Sequence, residues 1–550
     1  MPSASEPSRT QPRGADGLYA FPNLFLGIYE LAVTSKGFRE YTQRGMNVNI
    51  NYKLWLDVKL EIGAAMQTVV VAANTSALNF EAPEQKGTIW PQTIEQLCLI
   101  LSGHTCSAVG FARLLPGATT GGDEDHLNFS TRINGGINPG TEAIMDGVTI
   151  INGSLEQNGI EPGVTGHPYS PEAFQEVTLL TANYDAQYGL TASSVLTAVT
   201  KSGTGGWHGS AYELLRNTYF NAHQWGIPNR PKDTENDFGR TIGGPIKIPW
   251  LGWAGRKATY AFANYEGFRL HGSVSAPIIS VPTLQERQGD FRYWKDPNGN
   301  LIHLYNPTTT RPVPDVPGQF LRDQFMGCNG NQPIVICSTS PPLKSSLAPG
   351  WFKYLPAPNL PGILNNYTPP KPPTGMVNAD STVFDLRADH YVGERDQFAV
   401  TAHYFGSFCN KQTILSAQIA PDTFRQPNYD FANRFNWDYT FRPNLLNNFN
   451  PGYHDIPTIG VCSDAGFANA IPQISGGISH QSPPLIGFDD FCRFGCKGRF
   501  ETTRPATIAN DHLTWVGGKH TLSMGGEYRA LQDLRKGAPG ISPAASISRA

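Results

Sequence analysis

Long hydrophobic runs are missing from this 550-residue chain. The most apolar stretch, "LCLILSG" at 97–103, falls far short of the roughly 18 residues a membrane helix needs, so a helical membrane protein is excluded. Charge is sparse and balanced. Charged residues make up 16%, with 42 basic against 45 acidic and a net charge of −3, so nucleic acid is not an expected partner. Catalytic signatures are also missing: there is no GxSxG, HExxH or GxxxxGK[ST]. "SGTGGWHGS" is glycine-rich without a P-loop lysine, and "GGDEDHLN" at 121–128 lacks calcium-loop spacing and reads as a solvated acidic turn. No enzyme activity and no cofactor are expected. The eight cysteines form no CxxC. Cys328/Cys337 and Cys492/Cys496 lie in Gly- or Pro-rich stretches flanked by strand signals, making them candidate loop disulfides of an oxidising compartment. A zinc site at Cys492 and Cys496 would need two further ligands at recognised spacing, and none is near. The opening "MPSASEPSRTQPRGADG" lacks the apolar core and cleavage site of a signal peptide, which taken literally implies a cytosolic protein. The far end of the chain argues otherwise.

Glycine (57), proline (44) and aromatic residues (11%) are abundant, a composition of strands and turns. From Trp207 onward, segments with a two-residue period recur. In "FANRFNWDYTF", Phe431, Phe435, Trp437, Tyr439 and Phe441 share one face, and Arg434, Asn436, Asp438 and Thr440 share the other. "VFDLRADHY" sets Phe384, Leu386 and Ala388 against Asp385, Arg387 and Asp389. "DQFAVTAHYF" sets Phe398, Val400, Ala402 and Tyr404 against Gln397, Thr401 and His403. "HTLSMGGEYR" sets Leu522, Met524 and Tyr528 against Thr521, Ser523, Glu527 and Arg529. "FGRTIGGPIKI" and "NLLNNFNPGY" alternate poorly.

A soluble antiparallel sheet with one wet face gives the same alternation. The connections decide against it, because they alternate long and short: a loop of about 110 residues follows "YAFANYEGF", then comes the tight "VGERD", and "RPN" and "GGK" close later pairs after long loops. An outer-membrane barrel has this asymmetry, with short periplasmic turns, long outer loops, an apolar outer face and a polar lumen. Tyr and Trp near strand ends fit interfacial girdles against outer-membrane lipid.

Upstream, "DGLYAFPNLFLGIYELAVTSKGF" and "NVNINYKLWLDVKLEIG" read as short strands between turns, a small β-sandwich. Further on the pattern is mixed: "TIEQLCLIL" has helical spacing, and "SPEAFQEVTLLTANYDAQYG" reads as a capped short helix leading into strands. The segments "EAIMDGVTI", "SPEAFQEVTLLTANYDAQYG", "VLTAVTKSGTGGWHGSAYELLRN", "FANYEGF" and "LTWVGGKHTLSMGGEYR", in that order, resemble the TonB-dependent outer-membrane receptors, in particular their Oar-like members. The upstream segment resembles a carboxypeptidase-regulatory-like, transthyretin-like module whose first strands are missing.

The resemblance implies a mainly β chain of three parts: a partial sandwich over 1–75, an α/β plug over 76–205, and an antiparallel transmembrane barrel over 206–550. It implies an outer-membrane location, TonB with its inner-membrane energising complex as partner, and active uptake of an unidentified large substrate such as an oligosaccharide, a peptide or a metal chelate. Asp146, Gly147, Lys201, Gly203, Glu213, Arg216 and Glu266 are the candidates for plug–barrel contacts. "KSGTGG" is the expected hinge from plug to wall. About nine wall strands follow it, against about 22 in a plugged transporter, so the chain is expected to be a fragment with an unclosed wall. Two alternatives stand beside this reading: a secreted, soluble β-sandwich that binds carbohydrate, and the non-functional product of a truncated gene.

Overall fold

The computed structural model describes residues 19, 21, 27–48, 56–63, 68–72, 85–89, 114–121, 130–136, 140–150, 169–189, 191–222, 230, 232–246, 257–272, 278–295, 298–336, 350, 352–368, 377–393, 395–411, 424–442, 444–462, 486–488, 500–517, 520–537 and 545–547. The chain is mainly β with almost no helix. Strands β1 (Gly27–Val33), β2 (Glu40–Val48) and β3 (Thr68–Ala72) form a small sheet, antiparallel and then parallel, within the segment expected to hold the partial sandwich.

Next come β4 (Gln85–Ile89), the hairpin β5 (Ala118–Gly121) and β6 (Ser130–Ile133), then β7 (Thr141–Met145), β8 (Val148–Thr149), β9 (Phe174–Ala182) and β10 (Ser194–Thr200). Five of these make one mixed sheet in the order β4-β9-β10-β7-β8, with β10 and β7 parallel. Ile133, Met145, Phe174, Val177, Leu179 and Leu196 close its core. The run "VTLL" within β9 is buried on both faces, which explains its lack of alternation. The helix expected at "SPEAF" shrinks to one 3-10 turn, Pro171–Ala173, whose Ser170 makes no side-chain cap. Burial of Phe174 and Val177 in the sheet outweighs the local helix signal. "TIEQLCLIL" and "GGDEDHLN" lie outside the described residues.

The wall begins at β11 (His208–Asn217) and continues through β12 (Asp233–Pro245) and β13 (Lys257–Gly272). A short hairpin, β14 (Arg311–Pro312) with β15 (Phe320–Leu321), lies within the long connection that follows. The wall resumes with β16 (Val377–Val392), β17 (Asp396–Lys411), β18 (Phe424–Arg442) and β19 (Leu445–Asp455). Small strands follow: β20 (Thr458–Cys462), β21 (Ile486–Phe488) and β22 (Phe500–Thr503). The chain ends with β23 (Ala506–Gly517), β24 (His520–Leu531), β25 (Leu534–Gly537) and β26 (Ala545–Ile547). Nine strands form the antiparallel path β11-β12-β13-β16-β17-β18-β19-β23-β24, with β20, β22 and β25 as a side branch and no closure among the described residues. Antiparallel pairing puts the turns at 393–395, 443–444 and 518–519 at one end and the long connections 273–376 and 456–505 at the other. The first long connection is itself folded: Arg287 donates to the carbonyls of Pro282, Phe352, Leu355 and Pro356.

The wall is inside out relative to a soluble sheet. Phe384, Leu386 and Val400 are 43%, 53% and 49% exposed, whereas Asp385, Asp389 and His403 are 5%, 0% and 4% exposed. Trp437 and Tyr439 lie on the apolar outer face, while Asp438, on the opposite face, accepts a hydrogen bond from Asn448. The two poorly alternating segments are wall strands all the same. In β12 a Cβ on Gly244 would lie 2.5 Å from the Trp207 ring, and in β19 one on Gly452 would lie 2.7 Å from Val148 of β8. Close approach selects glycine at these positions and erases the pattern.

Candidate functional site at the seam between the β4–β10 domain and the wall

The buried polar face of the wall meets the domain formed by β4–β10, and the meeting points are ionic. Asp146 and Gly147 form the two-residue turn between β7 and β8, with φ of 46° and 83°. Such turns need positive φ at both positions, which Asp tolerates and Gly prefers. The turn presents its carboxylate and carbonyls to the wall. Asp146 Oδ1 accepts from Thr200 N at 3.0 Å and from Arg387 Nη1 at 3.2 Å. Arg387, on β16, also donates to Thr200 O at 3.0 Å and pairs with Asp389 at 2.9 Å. Asp389 in turn accepts from Ser202 Oγ at 2.6 Å, which fastens the hinge to the wall.

Three asparagines on adjacent strands complete the cradle. Asn436 Nδ2 donates to Asp146 O (2.6 Å) and to Asn450 Oδ1 (2.7 Å). Asn450 donates to Asn510 (2.9 Å), and Asn510 donates to Gly147 O (2.8 Å). A second ion pair joins Arg529 of β24 to Glu142 of β7 at 2.7 Å, with Glu142 almost fully buried.

Tyr169 supplies a third anchor. Its hydroxyl accepts from Arg434 Nη2 at 2.7 Å, and its ring lies 3.9 Å from the His403 ring. His403 is held by Asp385 at 2.7 Å, and Asp385 accepts from Asn264 at 2.9 Å. Complete burial pushes the Tyr169 phenol well above its ordinary value, against the opposing pull of Arg434, so it stays protonated and can both donate and accept.

The sequence-predicted residues divide between the seam and other places. Asp146 and Gly147 are at its centre. Lys201 pairs with Glu172 at 3.5 Å, and Glu172 accepts from Ser210 of β11 at 2.9 Å. A Cβ on Gly203 would lie 2.4 Å from Ala261 O, so the hinge backbone lies directly on the wall backbone. Glu266 is fully buried on the lumenal face of β13, in the electrostatic neighbourhood of Ser170, Tyr212 and Asp237.

Glu213 and Arg216 do not reach the β4–β10 domain. Glu213 is exposed on the face opposite Tyr212, and Arg216 pairs within the wall with Glu235 at 3.3 Å. Cys328 is disulfide-bonded. Cys337, Cys492 and Cys496 lie outside the described residues. Arg387, Arg434, Arg529, Glu142 and Tyr169 were not singled out from sequence, although the three arginines stand on the polar faces of sharply alternating strands. Among the described residues no group of three or more His, Cys, Asp or Glu is placed to hold a metal ion. Nor is any described helix long and apolar enough to cross a membrane.

The chain is similar to outer-membrane transporters and receptors. The TonB-dependent transporter Oar of Myxococcus xanthus is 27% identical over 253 residues, covering 42% of this chain and 22% of that protein. The outer membrane transporter YddB of Escherichia coli aligns over 82% of this chain and 48% of its own, with a TM-score of 0.45 and 10% identity. The siderophore receptor PirA of Acinetobacter baumannii aligns over 81% and 47%, with a TM-score of 0.42 and 11% identity. The chain thus spans about a fifth of the curated relative's length and about half that of these structures. The family model described as outer membrane beta barrel domain matches residues 199–540, well over half of the chain, and the protein belongs to that outer-membrane family.

Proposed function

We propose that this chain is part of a TonB-dependent receptor for active uptake of a large substrate: an oligosaccharide, a peptide or a metal chelate. In this reading residues 76–205 are the plug and residues from 206 onward are the wall, preceded by part of a carboxypeptidase-regulatory-like sandwich. The observation that carries it is the seam. A separately folded domain is seated against the polar face of a lipid-facing sheet mainly by ion pairs and amides, with one small apolar contact of Val148 against Ala506 and Ile508. Paired polar contacts can be exchanged for water at small net cost, whereas a dry apolar interface of similar size would have to expose its surface. Such a seam suits a plug that must be displaced. Force on the N-terminal part, delivered by TonB, would be transmitted through β7 and β10 to the Asp146–Arg387 contact.

The test is photocrosslinking in cells, with a photoreactive residue placed N-terminal to the plug and the periplasmic part of TonB as bait, beside uptake of labelled oligosaccharides, peptides and ferric chelates. A crosslink, together with uptake abolished by a protonophore, is the expected result. No crosslink, and uptake by none of these classes, overturns the reading.

A further inference from the structure

The outer face of the wall carries two arginines that pair with no carboxylate among the described residues. Arg240 shares a face with exposed Ile242, opposite buried Glu235 and Asp237 on β12; Arg269 lies between buried Phe268 and Leu270 on β13. Both therefore project outward. Arg240 stands 5.6 Å from the ring centre of Tyr265, its partner across the ladder, and Arg269 stands 5.8 Å from that of Phe238. Phe238 and Tyr265 are themselves 6.2 Å apart, giving the order cation, ring, ring, cation across two strands. Arg269 is held in place by Nη1 bonds to Phe268 O (2.7 Å) and Ser381 O (2.6 Å) and an Nη2 bond to Thr382 Oγ1 (3.5 Å). These use three of its five N–H donors.

The height of this cluster is set by its neighbours. Phe238, Tyr265, Phe384, Tyr404 and Phe431 form an aromatic row across five consecutive strands, with successive centroids 6.2, 5.0, 6.3 and 6.5 Å apart. Toward the tight turns the outer face continues with Leu386, Ala388 and Val400; toward the long connections it turns to Thr382, Asp380 and Arg269. A second aromatic group, Phe398, Trp437, Tyr439 and Phe441, lies nearer the turns, about 20–33 Å away along the strands; with a strand tilt of about 40° this is about 15–25 Å in height, of the order of a barrel's apolar band. The first row is therefore the rim of the band on the long-connection side. Exposed guanidinium groups are tolerated at such a rim, where lipid phosphates lie, and not at the midplane.

We infer that Arg240 and Arg269, framed by Phe238 and Tyr265, bind the phosphate of an outer-leaflet lipid headgroup. The inference rests on the outer-membrane setting of the wall and not on active uptake. Two acids share this face: Glu213, across from Phe238, and Asp380, across from Arg269, neither of which pairs with either arginine. They hold the local net charge near zero, so recognition depends on the guanidinium fork and its ring support rather than on a general pull for anions.

The test reconstitutes the full chain in zwitterionic nanodiscs doped with diphosphoryl or fully dephosphorylated lipid A, and reads the retained lipid by native mass spectrometry. Retention of the diphosphoryl form at least about fivefold over the dephosphorylated form is expected, lost in R240Q/R269Q and restored less than halfway in R240K/R269K. R240Q alone, which breaks no hydrogen bond among the described residues, reads the same effect if the double variant fails to assemble. Equal retention of the two lipids, an unchanged preference in R240Q/R269Q or R240Q, full rescue by lysine, or displacement by millimolar inorganic phosphate would overturn the assignment.

Discussion

Arg387 of the wall and Asp146 of the β7–β8 turn, 241 residues apart in sequence, meet at 3.2 Å, with side chains only 11% and 3% exposed. Removing one partner of a buried pair leaves the other charge uncompensated, at a cost of about 3–5 kcal/mol. Arg387→Met is therefore expected to loosen the β4–β10 domain markedly, since it strands both Asp146 and Asp389. Asp146→Asn should cost less, because its amide still serves Thr200. A double-mutant cycle read by protease sensitivity of residues 140–200 in the assembled protein checks this, and additive single effects would show that the contact carries no coupling.

The hinge offers a steric test. Gly203→Ala puts a Cβ against the Ala261 and Gly244 carbonyls and should cost about 1–3 kcal/mol by lifting the hinge off the wall. Gly206→Ala, with nothing within 4 Å, should stay within about 0.5 kcal/mol. Crosslinking between cysteines placed at Ser202 and Asp389 reports the difference, and equal yields in the two variants would refute the close-approach account.

On β18, Phe435→Arg, between the two aromatic groups and so near the middle of the apolar band, should cost about 2–4 kcal/mol, and Asp438→Arg much less, since the first side chain faces lipid and the second the lumen. Yield of folded, heat-modifiable protein in outer membranes measures both. Equal losses would mean that the two faces are not different solvents.

Tyr169 links stability to alkaline pH. Its folded pKa is raised above the ordinary 10.0, so above about pH 10 the unfolded chain loses this proton first and the folded state binds more protons. Stability from this group is present below pH 10 and falls as pH rises beyond it. Tyr169→Phe should remove that part of the slope and cost about 1–3 kcal/mol at neutral pH by leaving Arg434 Nη2 without its acceptor. Denaturation of the two proteins between pH 8 and 11 compares them, and parallel curves would exclude the phenol as the source.

The sequence by itself determined the wall. The alternation in "VFDLRADHY" and "FANRFNWDYTF" names the lipid face residue by residue, because side-chain direction in a strand is fixed by a local period of two. Connection lengths then settle which end is which. The tertiary structure alone decided which lumenal charges matter. Arg387, Arg434 and Arg529 are indistinguishable from other polar-face residues until the β4–β10 domain is seated, and Glu213 and Arg216 looked equally suitable and are not used. Pairing across 241 residues depends on register and on the position of a second domain, and neither leaves a periodic trace in sequence. For the same reason β12 and β19 were obscure: their glycines answer to Trp207 and Val148, which only the folded chain brings within reach.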